Sequence, residues 1–165
     1  MSRAEKRYQQ KLIKNLDRAM QHFNAGRLLQ AKRIYQQVRQ SIPNHPIALH
    51  MLGFIAHKMG GGVDIVVDLI SQAVAIAPDY IDAHNNLGNA LMDTGRLDEA
   101  VASYRKALTL DPKFTDAHSN LLFSAQHQKD ITLKSLNDMH ADWDESFAYP
   151  LRKEWSEHKN QRDFE

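Results

Sequence analysis

Residues 81–114 constrain this chain more than any other stretch. They read IDAHNNLGNALMDTGRLDEAVASYRKALTLDPKF, 34 residues in which small and apolar side chains hold fixed places. Leu87, Gly88 and Leu91 mark one helical face, Ala100, Tyr104 and Ala107 mark a second, Gly95 stands between the two and Pro112 follows. Each residue has a mechanical reason. Gly95 supplies the positive φ that ends a helix in a tight turn. Gly88 removes a side chain from the place where the second helix must come close. Ala100 and Ala107 let that helix nest against its neighbours, and Tyr104 fills the space between units. Pro112 cannot continue a helix and stops it before the next unit. A single helix–turn–helix of this kind leaves an apolar face uncovered, so copies on either side are required.

Shifting the pattern along the chain finds those copies. Residues 12–45 carry Gly26, Ala31, Tyr35 and Pro43 in phase, and residues 46–80 carry Leu49, Leu52, Gly53, Ala56, Val66, Ile70, Ala73 and Pro78. The second copy is one residue longer, and the surplus falls in Gly60-Gly61-Gly62, which reads as a loose turn. Period and residue types are those of the tetratricopeptide repeat (TPR), with His84 where that motif usually has Trp. The expected fold is therefore all-α, a right-handed TPR superhelix of about three repeats closed by a C-terminal helix pair.

The ends follow from the same register. Ser2 and Glu5 form a capping box that opens a helix running to about residue 24. On it Asn15, Arg18 and His22 occupy positions that pack against a preceding unit elsewhere, as suits an end repeat. Residues 115–128 repeat the first helix with His118, Leu121 and Ala125, completing a TPR array over 1–128. No glycine turn follows; Lys129-Asp130-Ile131 leads instead to Thr132, an N-cap. The capping helix within 129–150 shows Leu133, Leu136, Met139, Trp143 and Phe147 on one face and is stopped by Pro150. Residues 151–165 are polar and read as a linker or tail.

Composition excludes several function classes. There is no cysteine, so neither a disulfide framework nor a thiolate metal site is available. No run of about 18 apolar residues occurs and the start is Met1-Ser2-Arg3, which points to a cytoplasmic protein without membrane span or signal peptide. Charge is uneven: residues 1–40 hold ten Lys and Arg against Glu5 and Asp17, giving +8, and residues 41–165 come to −7. The basic stretch reads either as a helix facing solvent or as a patch for an acidic partner or nucleic acid. No aromatic or groove-reading motif accompanies it, which argues against nucleic acid. Nine histidines raise the question of a metal. His84 and His118 sit at equivalent repeat positions and His50 and His57 are seven apart, but no carboxylate at ligand spacing completes a set, so no metal or other cofactor is expected. Without a Ser/His/Asp arrangement, a phosphate-cradling glycine loop or HExxH, the chain has no catalytic site of its own.

What remains is the concave surface, lined by the first helix of each unit. Position 5 of the units gives Leu16, His50, Asn85 and Ser119; position 6 gives Asp17, Met51, Asn86 and Asn120; position 9 gives Met20, Phe54, Asn89 and Phe123. The N-terminal half of the groove is apolar and the C-terminal half amide-rich. An asparagine offers donors and an acceptor together, so it can hold the backbone of an extended peptide. Equally, Asn85, Asn86 and Asn89 can solvate the helix or bond to neighbouring turns.

ALHMLG, AHNNLGNAL, GRLDEAVASYRKAL and especially DAHSNLLFSAQH resemble the N-terminal region of bacterial O-linked N-acetylglucosamine transferases of the SPINDLY type. In that family a TPR superhelix leads into a two-lobed glycosyltransferase, and the sugar-nucleotide and catalytic residues lie in lobes that this sequence does not contain. The resemblance implies a ladder of concave asparagines at Asn86 and Asn120, with Asp17 and Met51 in its place in the first two repeats. It implies a scaffold that binds a protein or extended peptide and recruits it to a glycosyltransferase-like protein. The alternatives are a free-standing TPR adaptor and an assembly module, whose apolar groove is filled by another copy in a homo-oligomer or by the chain's own tail. A chaperone-type carboxylate clamp requires Lys and Asn on the first helix, where Leu16 and Met20 stand instead.

Overall fold

The computed structural model describes residues 2–128 and 131–149, so Lys129, Asp130, Pro150 and the expected tail lie outside the described residues. Eight α-helices follow one another: α1 Arg3–Asn24, α2 Leu28–Ser41, α3 Pro46–Lys58, α4 Val63–Ile76, α5 Ile81–Asp93, α6 Leu97–Leu110, α7 Thr115–Ala125 and α8 Leu133–Trp143. No strand occurs among the described residues. α1 with α2, α3 with α4 and α5 with α6 form hairpins, and the second helix of each hairpin lies on the first helix of the next. None of the described helices is long and apolar enough to cross a membrane.

Each hairpin closes with the same turn. Gly26, Gly60 and Gly95 take φ of 71°, 70° and 73°, a left-handed conformation costly for other residues. The glycine N–H donates to a carbonyl three residues back, and the next N–H donates to one five back: Arg27 to His22, Gly61 to Ala56 and Arg96 to Leu91. These are Schellman motifs, which satisfy carbonyls the helix end would otherwise leave bare. The three-glycine turn is therefore not loose, contrary to the sequence expectation. Gly60 and Gly61 reproduce the turn of the other units, and the surplus residue is Gly62, the N-cap of α4, at φ −57°.

The hairpins close tightly because a glycine faces a large side chain. A Cβ placed on Gly88 would fall into the Tyr104 ring, 2.7 Å from Cδ1 and Cζ, and one on Gly53 would lie 2.6 Å from Ile70 Cγ1. Tyr104, Ile70 and Tyr35 occupy equivalent places and are all fully buried. Ala19 fills the corresponding position of α1 and is 0% exposed. In α7 that position is Leu122, so no slot exists for a second helix at the same close range, and α8 has no fully buried residue.

The two ends differ from the interior. Ser2 and Glu5 make the capping box of α1, and the Thr132 hydroxyl accepts from the Ser135 N–H at 3.1 Å. On α8 the expected apolar face needs one correction: Leu133 is 82% exposed. It is the first residue of α8, one turn before Leu136; Leu136, Met139 and Trp143 are half-buried. Phe147 sits in a π-helical turn, Asp144–Ala148, and meets the His118 ring edge-on at 5.0 Å. Asn15, Arg18 and His22 of α1 stand where α3 has Leu49, Leu52 and Ala56; Arg18 is exposed.

Candidate functional site

Helical periodicity places positions 5, 6 and 9 of α3, α5 and α7 along one concave strip, and the structure shows how each residue is held. His50 is 2% exposed. Its Nδ1 lies 2.9 Å from the Tyr80 hydroxyl and its Nε2 lies 2.8 Å from the Asn86 side-chain nitrogen. Asn86 donates there, so Nε2 accepts and Nδ1–H donates to Tyr80. Burial pushes the His50 pKa down to about 4 and the Tyr80 hydroxyl up to about 12, so both are neutral near pH 7.

The other asparagines are also tied to the fold by one group each. The Asn120 amide donates to Asn85 Oδ1 at 3.0 Å, linking α7 to α5, and the Tyr104 hydroxyl donates to Asn89 Oδ1 at 2.8 Å. Burial raises the Tyr104 pKa to about 12. The second N–H and the Oδ1 of Asn86, the second N–H and the Oδ1 of Asn120, and the whole amide nitrogen of Asn89 have no partner among the described residues. Asn86, Asn89 and Asn120 thus each bond to a neighbour and keep polar atoms unpaired among the described residues, whereas Asn85, expected in the groove, is 6% exposed and serves as the acceptor for Asn120.

These groups converge. Asn85, Asn86, Asn89 and Asn120, with Phe54 at one side and Ser119 at the other, line an open groove of about 470 Å³. Phe123, 58% exposed, lines an adjoining hollow of about 340 Å³ that shares Asn89 and Asn120. His57 and Asp93 meet at its rim, Nε2 to Oδ2 at 2.6 Å, joining the C-terminal ends of α3 and α5. Lys58 Nζ stands 4.9 Å above the Phe54 ring, and the ring packs 5.5 Å from that of Phe23.

The remaining candidates fall elsewhere. Met51, expected in the groove, is 4% exposed and belongs to the core between the first two hairpins, because α3 is covered on both flanks. His50 reaches the groove only through Asn86. Leu16 is half-buried against the same core and Met20 is 38% exposed, both apart from the amide cluster. His84 and His118, read as packing residues, place Nε2 at 3.0 Å and 2.9 Å from the carbonyls of Pro78 and Pro112. That repeated Pro-to-His spacing of six was visible in the sequence. The Tyr80–His50–Asn86 chain was not, since it joins residues 30 and 36 apart. No group of three or more metal-ligating side chains occurs among the described residues.

The comparisons with known proteins bear on the fold. Residues 81–114 fit the family model described as tetratricopeptide repeat. The chain folds as a tetratricopeptide-repeat solenoid. It superposes on the O-GlcNAc transferase of Thermobaculum terrenum with a TM-score of 0.80 at 28% identity, over 92% of this chain but only 28% of the transferase chain. The first TPR domain of Spaghetti (RPAP3), solved bound to the HSP90 peptide SRMEEVD, aligns at a TM-score of 0.65 and 21% identity, over 71% of this chain and 92% of that one. MamA aligns at 0.75 and 16% identity, over 92% and 81%. Identities this low establish the solenoid fold alone. No curated protein matches the sequence.

Proposed function

We propose that this TPR solenoid binds an extended protein segment in its concave groove, holding the main chain through Asn86, Asn89 and Asn120. The observation that supports this is the convergence of asparagines on one open groove, each with a hydrogen-bonding group left unpaired. An amide can donate to a peptide carbonyl and accept from a peptide N–H without reference to side chains. Neighbouring first helices pack at about 8–10 Å. An extended strand advances about 3.3 Å per residue, so Asn86 and Asn120 would grip backbone units about three residues apart. Each bond contributes about 0.5–1.5 kcal/mol net, because water competes for the same groups. Binding is therefore weak and tolerant of sequence. The HSP90 peptide bound to the Spaghetti domain is a precedent for such a ligand on this fold.

The same reading makes the chain the partner-recruiting part of a cytoplasmic glycosyltransferase-like protein of the SPINDLY type. Its support is the likeness to the T. terrenum transferase across 92% of this chain. A free-standing adaptor is the competing role, and an α/β glycosyltransferase pattern in the reading frame after Glu165 would separate the two. The binding mode itself is tested with synthetic peptides of one sequence, with and without N-methylated backbone amides. Loss of binding on methylation together with tolerance of scrambling fits the proposal. Indifference to methylation with sensitivity to scrambling would overturn it.

A further inference from the structure

Inner junctions of the solenoid are all made alike: α2 lies on α3, α4 on α5 and α6 on α7. Among the described residues α1 has no such helix before it and α8 has none after it. The open side of α1 is basic. Lys11, Lys14 and Arg18 are exposed, three and four residues apart, and Arg7 and Arg3 continue the stripe. None of them takes part in an ion pair among the described residues. At 1.5 Å per residue these side chains recur about every turn along one side of the helix. The exposed side of α8 and the turn after it is acidic: Asp138, Asp142 and Glu145 stand four and three residues apart. Among the described residues only Asp138 of these three has an ion partner, Lys134 of the same helix at 2.8 Å.

We propose that copies of this chain stack head to tail, with the acidic face of α8 from one copy lying antiparallel on the basic stripe of α1 from the next. In that orientation the spacings coincide: Asp138 faces Arg18, Asp142 faces Lys14 and Glu145 faces Lys11. The arrangement continues the solenoid's own rule, second helix upon next first helix, across two molecules. It also accounts for the imbalance of +8 in residues 1–40 against −7 in the remainder. Inner junctions are sealed by leucines such as Leu49, Leu52 and Leu87, all buried. On α1 Asn15 and Arg18 take the places of Leu49 and Leu52, so the junction is polar and charged, reversible and sensitive to salt. The contact is heterologous and leaves both outer ends open, so assembly grows with concentration and does not stop at a dimer. It leaves the asparagine groove uncovered and is independent of peptide binding.

Sedimentation velocity of the 165-residue chain tests this. Screening shortens from about 10 Å at 0.1 M to about 3 Å at 1 M ionic strength, so association seen at low salt should weaken at least about tenfold at high salt. Lys11→Glu with Lys14→Glu and Arg18→Glu should give a monomer, as should Asp138→Lys with Asp142→Lys and Glu145→Lys. Mixing the two charge-reversed proteins should restore association, since each then meets the opposite sign. Circular dichroism confirms that both remain folded, as expected for exposed positions. A wild type that stays monomeric at low salt, association that survives high salt, or a mixture that fails to associate would each overturn the proposal.

Discussion

Acidification should destabilise this solenoid chiefly through His50. Its ring is 2% exposed, and burial lowers its pKa from 6.5 to about 4. The unfolded chain therefore takes up this proton first as the pH falls. Stability is intact above about pH 6.5 and is lost progressively down to about pH 4, where the folded ring also protonates. A shift of this size at 1.36 kcal/mol per unit amounts to about 3 kcal/mol, a large part of a small domain's stability. Protonation also disturbs the groove, because Nε2 then carries a proton and can no longer accept from Asn86. Urea unfolding at steps from pH 7 to pH 4 measures the loss, with His50→Gln as the comparison. The wild type should lose about 3 kcal/mol more than the variant over this window. NMR of the ring should show a midpoint well below 6. Parallel pH profiles for the two proteins, or a His50 midpoint near 6.5, would refute the reasoning.

Two further predictions bear on the repeat register. Gly88→Leu must displace the Tyr104 ring and should cost about 1–3 kcal/mol or more by denaturant midpoint. Gly62→Ala meets only Ile65 Cδ1 at 3.9 Å and should be neutral or stabilising by up to about 1 kcal/mol, as expected where φ already suits alanine. The two repeat tyrosines should respond oppositely to loss of the hydroxyl. Tyr104→Phe removes the bond to Asn89 and should cost about 0.5–1.5 kcal/mol. Tyr35→Phe removes a buried hydroxyl that has no partner among the described residues, and thermal unfolding should find it neutral or more stable.

Tyr35 also shows what the sequence could and could not reveal. The places of Tyr35, Ile70 and Tyr104 were legible because the repeat fixes which residue faces Gly53 and Gly88. Whether a hydroxyl finds a partner depends on position 9 of the same unit, Asn89 in one case and Met20 in the other. The sequence shows both residues but not the contact. The hairpin turns were legible wherever one glycine stood alone. Three in a row hid the fact that only Gly60 uses a positive φ. Groove positions followed from helical periodicity, which gives direction but not depth. Met51 was misplaced because α3 has α2 on one flank and α4 on the other, and a position at the edge of the strip is buried between them. Leu133 failed in the opposite sense: it shares the face of Leu136 but is the first residue of its helix, one turn short of the packed part.

An NMR titration of the folded chain tests most directly whether the amide-rich groove holds a peptide backbone. Amide shifts should move around Asn85, Asn86, Asn89 and Asn120 when an extended peptide is added. Asn86→Ala combined with Asn120→Ala should weaken that binding about fivefold or more, as two bonds of about 0.5–1.5 kcal/mol require. Unfolding measured in parallel separates this from the stability lost with the His50 and Asn85 partners. Met20→Asp, at an exposed position of the apolar half, should leave binding unchanged. An asparagine pair whose removal changes nothing, with binding abolished by Met20→Asp in a folded protein, would contradict the account.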